Sequence, residues 1–393
     1  MARRSQAEQE VLDRRFMAAA LRLSRKNAGR TSTNPSVGTL IVRDDGTRPM
    51  IVGTGVTAVG GRPHAETEAL AEAGELARGA TAYVTLEPCA HHGRTPPCAS
   101  ALVNAGVARV VGAASDPDPR VSGNGYAILR AAGVEVVEKV LVAEAAEQMA
   151  GYLIRSLKKR PEVILKLALS SDGKIGMKGE GQVSITGDIA RREVYLMRAE
   201  ADGVLIGIGT ALEDDPALTV RLPGLENRSP VRIVLDRHIR LPETSKLVAG
   251  VDRVPLYVAA CAEADPHRRA PLERAGVRFI GTETYEGDIA LPELLEDLAA
   301  LGMASVLVEG GAKVAKAFLT EGLVDRIVLF QGQEPIGKRG IASPLDAKHI
   351  PAGFRKLRDM RFGEDSYAEW IRHDPKKWEP VFGQEHGQLK DRI

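Results

Sequence analysis

An α/β fold in two parts is predicted from three observations. Strand-like and helix-like segments alternate along most of the chain. A charged run ending in proline, Lys158-Lys159-Arg160-Pro161, interrupts that alternation. The length of 393 residues is enough for two or three domains, each with its own core. Strands alternating with helices imply a sheet covered on both faces.

The elements follow in order. Leu12–Lys26 sets Leu12, Phe16, Ala19, Ala20 and Leu23 at helical spacing. Val37–Val42 and Met50–Val56 are short apolar runs around the turn-rich Arg43–Pro49, a hairpin pattern. Ala65–Ala77 is an Ala/Glu/Leu helix that stops near Gly79. Thr81–Leu86, Ala108–Ala113 and Val134–Val137 read as further strands with helices between them. A helical stretch over 145–162 ends at the proline-closed charge run, the expected boundary between a first domain over 1–150 and a second over 160–373. The second part resumes with strands at Val163–Leu169, Gly203–Ile208, Val231–Leu235, Leu256–Ala260, Val277–Ile280, Ser305–Val308 and Ile327–Phe330. Its helices are expected at Ile189–Ala201, Pro292–Gly302 and Ala312–Thr320. Past Arg361 no pattern is read, and the polar residues 374–393 are expected to be a flexible tail.

Charge narrows the class. Lys+Arg 53 against Asp+Glu 52 leaves a net charge of +1, which gives no bulk attraction to nucleic acid or anionic membranes, although a local basic patch stays open. The longest stretch free of charged residues is Thr95–Ala108, shorter than the roughly 20 apolar residues a spanning helix needs. The opening MARRSQAEQEVLDRRF lacks the apolar centre of a secretion signal, so a cytoplasmic enzyme is expected. Three cysteines cannot frame a disulfide scaffold and point to ligation, nucleophilic chemistry or packing. Cys261 is read as packing.

Two of the cysteines sit in a chemical pattern. His64-Ala65-Glu66 opens a predicted helix, Pro88-Cys89 closes a predicted strand, and Cys98 follows. One imidazole and two thiolates give a zinc ion three ligands and leave a fourth place for water. Glu66, two residues from the histidine, is then placed to move protons rather than to ligate. A structural site would need a fourth protein ligand, which His91 or His92 could supply, so that reading stays open.

The long Cys-Ala-His-His-Gly-Arg-Thr-Pro-Pro-Cys segment, with the His64-Ala65-Glu66 motif and Asn34-Pro35-Ser36-Val37-Gly38, resembles the bifunctional riboflavin-biosynthesis deaminase–reductase family. The eight residues between Cys89 and Cys98 set it apart from cytidine and tRNA-editing deaminases. The resemblance implies a cytidine-deaminase-like α/β/α sandwich joined to a dihydrofolate-reductase-like α/β domain. It implies that Asn34 lines the pyrimidine pocket and that His91, His92 and Arg94 lie near the substrate. Arg94 is also the one cation in that loop, as a phosphorylated substrate requires.

The second half carries the resemblance on. Lys166-Leu167-Ala168-Leu169-Ser170-Ser171-Asp172-Gly173-Lys174 is similar to the opening of the family's reductase domain, and Gly209–Arg221 to its G-T-x-x-x-D-D-P-x-L-T-x-R segment. Val308-Glu309-Gly310-Gly311 follows a strand and opens a helix, a place where backbone amides meet a pyrophosphate. The resemblance implies zinc, one per chain, and NADPH as cofactors. Ala168, Thr210, Asp214, Gly310 and Gly311 are then expected at the nicotinamide cofactor. Arg198, Leu218, Arg221 and Glu309 are expected at the substrate, with both arginines suited to phosphate. Lys166, Asp214 and Glu309 are the candidates for proton transfer.

Two departures qualify the second half. Ser184 precedes Ile185-Thr186 where the family usually has tryptophan, which removes an aromatic wall of the cofactor pocket. Arg237 stands where serine is common and is free to pair with a cofactor phosphate. They motivate a rival reading, an active deaminase with a degenerate, non-reducing cofactor-binding half. A third reading is a binding protein with structural zinc. The expected partners are a small phosphorylated pyrimidine substrate and further copies of the chain as a dimer or tetramer, with no nucleic acid and no membrane.

Overall fold

A computed structural model describes residues 4–46, 48–91, 96–285 and 287–372. The chain divides into two compact units between Lys158 and Lys159, within the charge run. His92, Arg94 and the segment 374–393 lie outside the described residues.

In the first unit α1 spans Gln6–Ser24. It begins six residues before the periodic stretch because Ser5 and Glu8 close a capping box over its first turn. β1 (Gly38–Arg43) and β2 (Met50–Val56) pair antiparallel as the expected hairpin. β3 (Thr81–Leu86) joins β1 antiparallel, and β4 (Arg109–Ala114) and β5 (Glu135–Val137) follow in parallel. Among the described residues the sheet order is β2-β1-β3-β4-β5. α2 (Ala65–Ala73), α3 (Cys98–Asn104) and α4 (Asn124–Ala131) neighbour one another, α5 (Val142–Gln148) meets α1 and β4, and α6 (Ala150–Lys158) closes the unit. The core sets Phe16, Met17, Ile41, Val84 and Leu102 around the sheet.

One local device positions the first site. β2 reads Val-Gly-Thr-Gly-Val where β-branched residues would be usual. A Cβ on Gly53 would stand 2.2 Å from the Ala69 carbonyl oxygen, and one on Gly55 only 1.9 Å from that of Ala65. The two glycines therefore let the backbone of α2 lie directly on the strand, which fixes where the helix starts and where His64 and Glu66 project.

The second unit begins with β6 (Glu162–Leu169), β7 (Lys174–Met177), α7 (Asp188–Glu200), β8 (Gly203–Gly207) and α8 (Ile208–Asp214). β9 (Val231–Leu235), α9 (Lys246–Ala249), β10 (Leu256–Cys261), α10 (Pro266–Arg274) and β11 (Arg278–Thr282) follow. Then come the short β12 (Thr284–Tyr285) and β13 (Asp288–Ile289), α11 (Leu291–Ala300), β14 (Ser305–Val308), α12 (Ala312–Thr320) and β15 (Arg326–Gln331). The unit ends with β16 (Gly340–Ala342), β17 (Phe354–Phe362) and β18 (Asp365–Arg372). Among the described residues the main sheet runs β11-β10-β9-β8-β14-β6-β15-β18-β17, parallel up to β15 and antiparallel in the last two strands. The strands expected from sequence all form, while β7, β12, β13, β16, β17 and β18 lie outside those expectations. The stretch past Arg361 is thus the turn of a hairpin and its second strand, β18, as far as Arg372. Charge anchors it: buried Arg326 on β15 bonds Glu162 on β6 at 2.9 Å and also Glu369 on β18, whose other oxygen takes the Tyr367 hydroxyl at 2.9 Å.

Gly55→Val is expected to destabilise the first unit by about 3 kcal/mol, because backbone and not a flexible side chain blocks the added methyls. A thermal melt of this variant beside the wild type checks it.

Candidate functional site

Three elements deliver the first cluster. His64 sits at the cap of α2, Cys89 lies just beyond β3, and Cys98 is the first residue of α3. Their ligating atoms lie within 4.8 Å of one another. Nδ1 of His64 is 3.3 Å from the Cys98 sulfur and 3.8 Å from the Cys89 sulfur. Bonds of about 2.1 Å to nitrogen and 2.3 Å to sulfur put tetrahedral zinc ligands about 3.6 Å apart, so the donor set fits that ion. The segment joining the cysteines is held at both ends: the Cys98 amide donates to the Cys89 sulfur at 3.2 Å, and the Ala99 amide to the Cys89 carbonyl at 3.2 Å.

The protons of the cluster are distributed for a cation. Hydrogen bonding from Cys98, aided by His64, draws the Cys89 thiol down to about 4 against its burial. The same bond and burial push Cys98 up, and the bond to Cys89 raises His64. The result is a thiolate held by two donors that a divalent ion displaces. Glu66 is buried, and burial pushes its carboxyl up to about 7, with the charge on Cys89 adding to the rise and its own backbone amide opposing it. That range suits a group that both takes and gives a proton near neutrality.

Other expected residues fall around this cluster in different ways. Asn34 donates from its side-chain amide to the Gly61 carbonyl at 2.8 Å, three residues before His64, and so ties down the chain entering α2. His91 is half-buried with a buried Nδ1 that meets no hydrogen-bond partner, and it is not in the convergent ligand set among the described residues. Glu87 was missed from sequence. Its buried carboxylate accepts the amides of Gly123 (3.1 Å) and Gly125 (3.0 Å) at the start of α4, which packs against Pro88. The partners of Glu87 lie 36 and 38 residues further along the chain, so no local pattern marks it.

The second site is a cavity of about 1740 Å³ at the carboxyl ends of the parallel strands of the second unit, where α/β sheets bind their ligands. Every residue expected there lines it: Lys166, Ala168, Arg198, Thr210, Asp214, Leu218, Arg221, Glu309, Gly310 and Gly311. The Gly311 amide donates to the Thr210 hydroxyl at 3.1 Å, which joins the start of α12 to α8. A Cβ on Gly310 would lie 2.8 Å from that of Val314, so the glycine keeps the approach to α12 open. Ser184 and Arg237 also line the cavity; Arg191 donates to the Ser184 hydroxyl at 2.9 Å.

At the inner wall Arg198 grips Glu309 with two bonds, 2.6 and 3.0 Å, and donates to the Thr219 carbonyl at 3.1 Å. The Lys166 ammonium is 3.8 Å from the same carboxylate. Burial alone would raise Glu309, but Arg198 and Lys166 outweigh it and hold its carboxyl below the ordinary range. Burial lowers Lys166, with Glu309 opposing. Burial also raises Asp214, helped by Glu213. Lys166, within β6, and Glu309, just past the end of the adjacent β14, thus face each other as a half-buried ion pair.

Comparisons with known proteins cover both units. Residues 11–114 match the cytidine and deoxycytidylate deaminase zinc-binding region, and residues 161–365 match the RibD C-terminal domain. The chain is 37% identical over 356 residues to the riboflavin biosynthesis protein RibD of Aquifex aeolicus, covering 90% of this chain and 97% of that one. To the Escherichia coli RibD it is 38% identical over 360 residues, covering 88% and 93%. A solved Acinetobacter baumannii RibD superimposes with a TM-score of 0.80 at 36% identity over 93% of this chain and all of that one. A Thermotoga maritima diaminohydroxyphosphoribosylaminopyrimidine deaminase/5-amino-6-(5-phosphoribosylamino)uracil reductase gives 0.79 at 33% identity, covering 93% and 99%.

Because the folded Glu309 lies below its ordinary value, its contribution to stability is full above about pH 4.5 and is lost as pH falls through the folded value. Glu309→Gln, which leaves Arg198 and Lys166 unpaired, is expected to cost about 3 kcal/mol at pH 7. The gap in melting temperature between variant and wild type should shrink as pH drops below 4.5.

Proposed function

Because the chain belongs to the RibD family of riboflavin biosynthesis proteins, we propose, residue by residue, how it acts as that family's bifunctional deaminase and reductase. The enzyme has a zinc-dependent deaminase in its first unit and an NADPH-dependent reductase in its second. The rival reading with a non-reducing second half finds no support in these matches. The convergence of His64, Cys89 and Cys98 beside buried Glu66 carries the deaminase reading.

The proposed substrate is 2,5-diamino-6-(5-phosphoribosylamino)pyrimidin-4-one, whose ring amine leaves as ammonia. His64, Cys89 and Cys98 would hold the zinc, which when bound would supply the Lewis acidity that lets water react near neutral pH. Glu66 takes a proton on its carboxylate and delivers it to the departing nitrogen. Its burial keeps the carboxyl in the range where both steps are cheap. Asn34 and Glu87 act through the backbone, one fixing the approach to α2 and the other the Pro88-Cys89 turn. His91, His92 and Arg94 are proposed to face the substrate.

In the second unit the ribosyl group of the deaminated product becomes ribityl. NADPH supplies the hydride when bound. Ala168, Thr210, Asp214, Gly310 and Gly311 are proposed to cradle it, with the amides at the start of α12 facing its phosphates. Arg237 is placed to pair with a phosphate of the cofactor. Leu218, Arg221 and Glu309 are proposed for the substrate. Arg198 reaches it through Glu309, since three of its donors are already engaged. Opening the sugar requires a proton on the ring oxygen, and Lys166, relayed by Glu309 or Asp214, is proposed to provide it. No described helix is long and apolar enough to cross a membrane. A cytoplasmic homo-oligomer, dimer or tetramer, is the proposed working form.

Glu66→Ala is expected to slow ammonia release by about 10³-fold or more, with zinc content unchanged. NADPH oxidation with the deaminated product supplied should stay at the wild-type rate. Ammonia release and metal content measured on one preparation check this, and retained deamination would remove Glu66 from the mechanism.

A further inference from the structure

The cavity wall holds a group that the reaction as described does not use. Tyr195 lies on α7, one turn before Arg198, and lines the cavity. Its ring centroid is 5.7 Å from the guanidinium carbon of Arg198 and 5.8 Å from that of Arg221. The two arginines differ in what else they touch. Arg198 is half-buried and grips the Glu309 carboxylate with two bonds, with a third donor spent on the Thr219 carbonyl. Arg221 is exposed at the cavity, and among the described residues no carboxylate pairs with it.

A long arginine on an irregular segment loses much rotamer freedom when it closes on an anion. An aromatic ring within cation–π range of the guanidinium removes part of that loss and leaves its N–H groups for a phosphate. We propose that Tyr195 is a positioning residue that pre-orders Arg221, and not Arg198, as the cation receiving the substrate's phosphate. This rests on the reading that the second unit reduces a phosphoribosyl compound. The charges divide accordingly. Arg198 and Lys166 share the one Glu309 carboxylate, while Arg221 beside Tyr195 has no carboxylate partner among the described residues.

The decisive experiment is a double-mutant cycle on the full chain with zinc and NADPH present. Tyr195→Leu is expected to raise the reductase KM about fivefold with kcat within a factor of two. Arg221→Ala should raise KM about thirtyfold. Adding Tyr195→Leu to Arg221→Ala should change nothing further, because the ring then has no partner to order. Tyr195→Phe keeps the stack and should match the wild type, which separates ordering by the ring from a role of the hydroxyl. Calorimetry with inorganic phosphate on the same proteins should show the same pattern. Additive effects of the two substitutions, a fall in kcat at constant KM, or phosphate affinity unchanged in Tyr195→Leu would each overturn the proposal. If the wild type failed to oxidise NADPH with the deaminated product, the reductase reading would fall, while the phosphate titrations would still decide the role of Tyr195.

Discussion

A single geometric demand organises the first unit: an imidazole and two sulfurs, from places 25 and 34 residues apart in the chain, must meet within 4.8 Å. No one element can supply all three. The sheet provides the reference frame, since Cys89 hangs from the end of β3 while two helices begin at the same edge. Each helix start is then fixed by something outside the cluster. Gly53 and Gly55 seat α2 on β2, the Asn34 amide holds the chain before His64, and Glu87 binds the start of α4 against Pro88. The Cys98 and Ala99 amides, bonded to the Cys89 sulfur and carbonyl, hold the start of α3 beside Cys89.

The second unit solves a different problem with the same kind of edge. Its parallel strands end in one large cavity, and the charges within it are sorted by depth. Half-buried Arg198 and Lys166 share the Glu309 carboxylate on the inner wall. Arg221 and Arg237 also line the cavity. A second buried ionic group, Arg326 with Glu162 and Glu369, stitches the final hairpin to β6 and β15, far along the sequence from either partner. Such pairs add little net stability over apolar packing, but they penalise any register that leaves one charge alone.

Much of this was legible in the chain because the informative signals are local. The metal ligands announce themselves by residue type at a helix start and a strand end, and the parallel strands of the second unit are continuous apolar runs bounded by turns. The parts that were not legible depend on partners distant in sequence. β17 carries Arg355, Lys356, Arg358, Asp359 and Arg361 on a sheet edge, where charge hides the period of two. Glu369 on β18 looks like a surface residue until Arg326 is seen beside it. Glu87 likewise reads as an exposed acid until the glycines of α4 are brought to it, and the engagement of Arg198 by Glu309 spans 111 residues.

The central claim is that zinc in the first unit has three protein ligands and keeps one position for water. X-ray absorption at the zinc edge of the loaded full-length chain tests it most directly. The expected shell is two sulfurs, one imidazole nitrogen and one light oxygen scatterer. A shell of two sulfurs and two imidazoles, with His91 or His92 filling the fourth position, would contradict the claim and make the site structural.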